Sequence, residues 1–137
     1  MGLYLCVFDG DEEVEGIDLG SYEDFGRFRD AVRDHLEHGK PGSRYPVLMR
    51  HSDRDGAWTP DEARVLHDEL EGISQAFLRK QPLQFWAVWQ RQLAAERGLS
   101  PNNLYESFID VDGEPLIARL MALCLLAQDR QLPILFQ

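Results

Sequence analysis

Positive charge is scarce in this sequence: 14 Lys and Arg stand against 24 Asp and Glu among 137 residues, a net charge of -10. Proteins that grip nucleic acid or an anionic bilayer carry a basic stripe, so the balance argues against both as partners. It favours a basic partner, or simple solubility. Cysteine is nearly missing, with Cys6 and Cys124 the two present. Both sit in apolar runs, which speaks against a disulfide framework and predicts reduced, buried thiols. The N-terminus lacks a charged segment, apolar stretch and cleavage site in succession, and Cys6 stands where a myristoylation start needs Ser or Thr. A cytoplasmic protein is expected. The longest apolar run, Leu120 to Ala127, has eight residues, far short of the roughly 20 that span a bilayer. Repeats, low-complexity segments and linkers are missing as well.

What is present is a globular composition, 44% hydrophobic and 28% charged, of a length that suits a single domain over residues 1–137. The apolar run lies within Glu114 to Arg130 and covers most of a helix circumference. Leu116, Leu120, Leu123 and Ala127 form one stripe, with Ile117, Met121, Cys124 and Leu125 beside it. Such a helix must be covered on several sides. Asp112 reads as its N-cap and Glu114 as favourable first-turn charge.

Ahead of that helix, Gly2 to Phe8 and Val14 to Leu19 read as two strands of a hairpin joined by the acidic run Asp9-Gly-Asp-Glu-Glu13. Ser21 and Asp24 form a weak capping box for a helix that buries Phe25, Phe28, Val32 and Leu36 and stops at Gly39. Arg44 to Arg50 reads as a third strand with Pro46 near its beginning, and His51 to Trp58 as a turn. Thr59-Pro60-Asp61-Glu62 is a strong helix start, and Ala63, Leu66, Leu70, Ile73 and Phe77 continue it as one apolar face. Leu83 to Arg97 places Phe85, Val88, Trp89 and Leu93 at helical spacing, with Gly98 as C-terminal cap. Ser100-Pro101 opens a short helical turn, and Ile134 to Gln137 reads as a last strand. The fold class is therefore α+β: a small sheet of N-terminal hairpin, central strand and C-terminal strand, packed against about four helices.

Several constellations carry candidate chemistry. Aligning Gly56 with the glycine of a calcium-binding EF-hand loop places Asp53, Asp55 and Glu62 at ligand positions, but His51 falls at the first one and the preceding segment reads as a strand. An Asp-Gly turn followed by a capped helix explains the same residues. His35 and His38 are spaced for a shared metal, yet favourable charge near a helix C-terminus is the simpler role. Both cysteines read as buried and no G-x-S-x-G elbow occurs, so no nucleophilic site, no catalytic residue and no cofactor is assigned. Five carboxylates, Asp9, Asp11, Glu12, Glu13 and Glu15, crowd the hairpin. They read as a solvated turn or as a patch that draws in a basic protein partner.

The chain resembles the immunity protein 70 family of bacterial polymorphic toxin systems. The likeness rests on Gly2-Leu-Tyr-Leu-Cys-Val-Phe8, Gly20-Ser-Tyr with Asp24-Phe25, Ser43-Arg-Tyr-Pro46, and His51-Ser-Asp with Asp55-Gly-Ala-Trp-Thr-Pro60. It continues in Phe108-Ile-Asp-Val-Asp-Gly-Glu-Pro-Leu116 and Pro133-Ile-Leu-Phe-Gln137. These are strands, turns and caps. The resemblance implies a non-enzymatic cytoplasmic antidote that binds a cognate toxin domain and blocks it by occlusion. It carries over no binding residue. The alternatives from the residues themselves are a calcium-responsive module on the 51–62 loop and a hydrolase with an acidic site. Shortening the central stripe of the core helix by Leu123→Ala is expected to cost roughly 2–5 kcal/mol, read by chemical denaturation.

Overall fold

Strand formers on both sides of Gly10-Asp11 fold back on each other as β1 (Gly2–Asp9) and β2 (Glu12–Ser21), paired antiparallel from Asp9↔Glu12 to Gly2↔Ser21. The computed structural model describes residues 2–137. Its later elements are α1 (Tyr22–Leu36), α2 (Pro46–Arg50), β3 (Ala57–Trp58), α3 (Pro60–Phe77), α4 (Val88–Arg97), a 3-10 turn (Tyr105–Ser107), α5 (Leu116–Arg130) and β4 (Ile134–Phe136). The four strands form one antiparallel sheet in the order β2-β1-β4-β3. This is the α+β architecture expected. No helix among the described residues is long and apolar enough to cross a membrane.

One face of the sheet is the floor of the core. Leu3, Leu5 and Val7 of β1, Ile17 and Leu19 of β2, Trp58 of β3 and Ile134 and Phe136 of β4 are buried there against α1, α3 and α5. The expected stripes are all buried: Phe25, Phe28, Val32 and Leu36 on α1, and Ala63, Leu66, Leu70, Ile73 and Phe77 on α3. Helix α5 packs chiefly on α3 and buries Leu116, Ile117, Leu120, Leu123, Cys124 and Ala127. Both cysteines are free and buried; burial pushes the Cys124 thiol up to about 12. The capping boxes at Ser21/Asp24 and Thr59/Glu62 form in both directions, and Gly98 closes α4 in the left-handed conformation.

Several local expectations fail, most of them to hydrogen bonds that fix the chain in another conformation. Arg44 to Arg50 holds no strand; all of it from Pro46 onward is the short helix α2, with Pro46 in the first turn. A short apolar run has no decisive period, and here a buried carboxylate decides. Val47 and Leu48 donate their amides to Glu69 Oε2 and Oε1 at 3.1 and 2.9 Å. Glu37, 1% exposed, accepts from the amides of Gly42, Arg44 and Tyr45 at 3.0–3.1 Å. The Arg29 guanidinium closes the other end on the carbonyls of Leu48 and His51.

The strand that occupies the sheet instead is Ala57–Trp58, at the end of the expected turn and at the sheet's edge. Helix α5 starts at Leu116 after Pro115, with Asp112 too early to cap it. Asp110 organises that turn, its Oδ1 accepting from the amides of Asp112 and Glu114 while Arg119 lies 3.0 Å from Oδ2. Leu125 faces solvent at 53% exposure. Helix α4 begins only at Val88, itself exposed. Residues 83–87 stay outside the helix, where Leu83 donates to Ser107 Oγ and the carbonyls of Phe85 and Trp86 accept from Arg91.

Glu69 therefore holds α2 in place. Glu69→Ala should cost about 2 kcal/mol or more by stranding two buried amides, with faster hydrogen exchange at Val47 and Leu48. Burial holds the Glu69 carboxyl above its ordinary value, against the two amide bonds and with the Glu37 charge adding. A raised acid pKa means stability present below the unfolded value and lost as pH rises through the folded one. Relative to Glu69→Gln, the wild-type protein should thus lose stability as pH rises just above 4.5, in denaturation midpoints taken across that range.

Candidate partner-binding surface

Alternation along β1 turns Tyr4, Cys6 and Phe8 away from the core. Pairing extends the row across the sheet, since Cys6 lies opposite Gly16 and Leu135, and Leu135 opposite Ala57. Tyr4, Phe8, Leu135 and Ala57 are half-buried, and none belongs to a packed core cluster. This second face of the sheet is apolar and open. Tyr4 lies flat over Gly16, where any Cβ would collide with its phenol. Its hydroxyl donates to Glu13 Oε2 at 3.0 Å. Cys6 is shielded beneath this row, and burial, with the Glu13 charge, raises its thiol pKa.

The acidic hairpin adjoins that face, with Glu13 opposite Phe8 and bonded to Tyr4. Asp9, Asp11, Glu12, Glu13 and Glu15 are all exposed, but the turn itself is only Gly10-Asp11, so Glu12, Glu13 and Glu15 project from strand β2 rather than from a loop. Asp9 reaches Arg130 at 3.9 Å, and Glu15 accepts from the adjacent Gly16 amide. Asp11, Glu12 and Glu15 have no ion-pair partner among the described residues. A strand therefore presents unneutralised charge next to apolar area.

The other sequence candidates fall elsewhere. In the 51–62 loop, Glu62 Oε1 accepts from the Thr59 amide at 3.0 Å, and both His51 ring nitrogens face the carbonyls of Ser52 and Ala57 at 2.7 and 3.0 Å. His51 stacks on Phe136 with ring centroids 4.2 Å apart. Its imidazole is part of the packing. Asp53 sits beside Arg54, and Asp55 is exposed. Among the described residues, the ligand atoms that do converge within 4.8 Å belong to His67, Asp68 and Glu71 on the outer side of α3. His35 packs edge-on against Phe77, and His38 lies past the end of α1.

Sequence reasoning missed an open cleft between the start of α1 and the irregular 83–87 segment. It has a volume of about 550 Å³ and is walled by Asp18, Gly20, Asp24, Trp86, Trp89 and Val111. Gly20, at φ 90, allows the close approach on which the wall depends, since a Cβ there would strike Asp24 Oδ2 and lie 2.9 Å from Trp89 Cζ2. The aromatic cluster Phe85-Trp86 with Trp89 was the visible signal. Phe85 and Trp89 fit a helix stripe with Val88 and Leu93, and Trp86 lies off it.

Fold and surface together describe a small α+β protein whose distinctive chemistry lies in what it displays. The chain belongs to the Immunity protein 70 family, whose family model matches residues 3–136. No curated protein and no solved structure matches it.

The Tyr4–Gly16 contact can be tested by a double-mutant cycle in urea. Gly16→Ala should cost about 1–3 kcal/mol by overpacking, and far less in a Tyr4→Ala background, because the clash is with that ring.

Proposed function

We propose that this chain is a single immunity-protein domain over residues 1–137 that binds a cognate toxin in the cytoplasm and neutralises it by occlusion, without catalysing a reaction. The observation that carries the reading beyond family membership is the open apolar sheet face adjoined by the hairpin of Asp9, Asp11, Glu12, Glu13 and Glu15. An apolar centre supplies burial on association, while a charged rim sets approach and orientation. The toxin is accordingly basic where it meets the hairpin. Blocking needs no chemistry from this chain: a protein seated over a toxin's working surface keeps its substrate out.

Coexpression with the toxin domain encoded beside this gene tests the reading, with cell survival expected and continued killing by a correctly paired toxin as the contrary result. With the purified pair, the triple variant Asp11→Lys, Glu12→Lys, Glu15→Lys should slow association about tenfold or more at low salt. The effect should shrink as salt is raised, and the dissociation rate should change far less. Stopped-flow mixing reads both rates.

A further inference from the structure

Two residues that line the cleft at the start of α1 each carry a buried polar atom with nothing to bond. Asp24 is 7% exposed. Its Oδ2 accepts from the Ser21 amide at 2.7 Å and from Trp89 Nε1 at 3.0 Å, while Oδ1 has no partner. Trp86 Nε1, in the same wall, is also unpartnered. Orphaned groups of this kind are rare in folded proteins and call for an explanation. No cation pairs with Asp24 among the described residues. The cleft thus lacks a donor for a buried carboxylate and an acceptor for an indole N–H.

The remaining walls narrow the chemistry of the guest. Asp18 adds a second, exposed carboxylate, and Trp86 and Trp89 add aromatic surface. The Trp86 ring already attracts a guanidinium, since Arg27 lies over it at 4.5 Å from the ring centroid. Carboxylates beside indoles suit a flat cation that can donate hydrogen bonds and stack. An anion would meet Asp18 and Asp24, and a purely apolar guest would leave both orphaned atoms unsatisfied.

The geometry points to this cleft as a receptor for an arginine side chain of a partner protein. The guanidinium donates to Asp24 Oδ1 and to Asp18, and a main-chain carbonyl of the same partner segment accepts from Trp86 Nε1. Both orphaned atoms are closed off from bulk water, so the Trp86 ring shifts as the guest enters. That shift moves the side chain alone, since the Trp86 carbonyl stays bonded to Arg91. The inference rests on the toxin-binding reading only in naming whose arginine it is; the receptor chemistry stands on the cleft.

The test needs no toxin. The full chain is titrated with the peptide acetyl-Gly-Arg-Gly-amide and with its citrulline counterpart, which keeps the shape and removes the charge, while NMR follows the indole N–H signals. Saturable shifts at Trp86 and Trp89 with arginine, and weaker or no shifts with citrulline, are expected. Asp24→Asn keeps an acceptor for the Ser21 amide and should weaken binding about tenfold by loss of a charge-assisted bond. Should that variant fold poorly, Trp86→Phe, which removes only the N–H partner and ring area, should weaken binding as well. Equal response to both peptides, or unmoved indole signals at saturating arginine peptide, would overturn the assignment. That failure would leave the hairpin reading intact, whereas failed rescue in coexpression would leave the cleft's arginine binding untouched.

Discussion

The insertion of β4 between β1 and β3 is the constraint from which the rest follows. Tyr4 and Gln137 exchange both backbone hydrogen bonds at 3.0 and 2.8 Å, and Phe136 donates to the Gly56 carbonyl on the other side. With β4 in place, β1 becomes an interior strand and the sheet acquires one continuous buried face. Trp58 and Phe136 then meet edge to face with centroids 4.7 Å apart, and the Trp58 N–H finds the Val47 carbonyl at 3.1 Å. Antiparallel pairing also dictates the reverse: each side chain sent into the core sends its neighbour out. The open row of Tyr4, Phe8, Leu135 and Ala57 is the geometric complement of the core.

The acidity divides into two populations with different work. Glu37, Glu69, Asp24 and Asp110 are buried and accept backbone amides, fixing the 40–51 loop, α2, the start of α1 and the turn before α5. A buried carboxylate with several donors can organise a loop that has no regular structure of its own. The hairpin acids do the opposite and stay in water. Net charge alone does not separate these roles, since the same side chain is a clamp in one place and a display in the other. Asp24 belongs to the first group through Oδ2, which accepts the Ser21 amide, while its Oδ1 is buried without a partner.

Much of the fold was legible because local chemistry and tertiary need agree. Thr59-Pro60-Asp61-Glu62 caps its helix wherever it sits, and the Phe25-Phe28-Val32-Leu36 spacing has a single burial solution. The surface was legible only in part. The acidic run could be read directly, but its projection from a strand could not, and the continuous apolar run from Leu3 to Phe8 gave no hint of which residues the core would leave outside. Segment 83–87 misled for a related reason: aromatics at helical spacing fit a helix, whereas the bonds to Ser107 and Arg91 hold the chain out of one.

By itself, the sequence determined the helices with strong caps, the hairpin, the buried thiols and the excess of acid, because each depends on neighbours within a turn or two. Tertiary structure alone decided that Val47 and Leu48 coil beneath Glu69, that β4 sits inside the sheet, and that Asp24, Trp86 and Trp89 line one open cleft. Those outcomes turn on partners 21 to 65 residues away for the side-chain bonds involved, and for β4 on a pairing between opposite ends of the chain. Burial makes such distant bonds strong enough to override local preference.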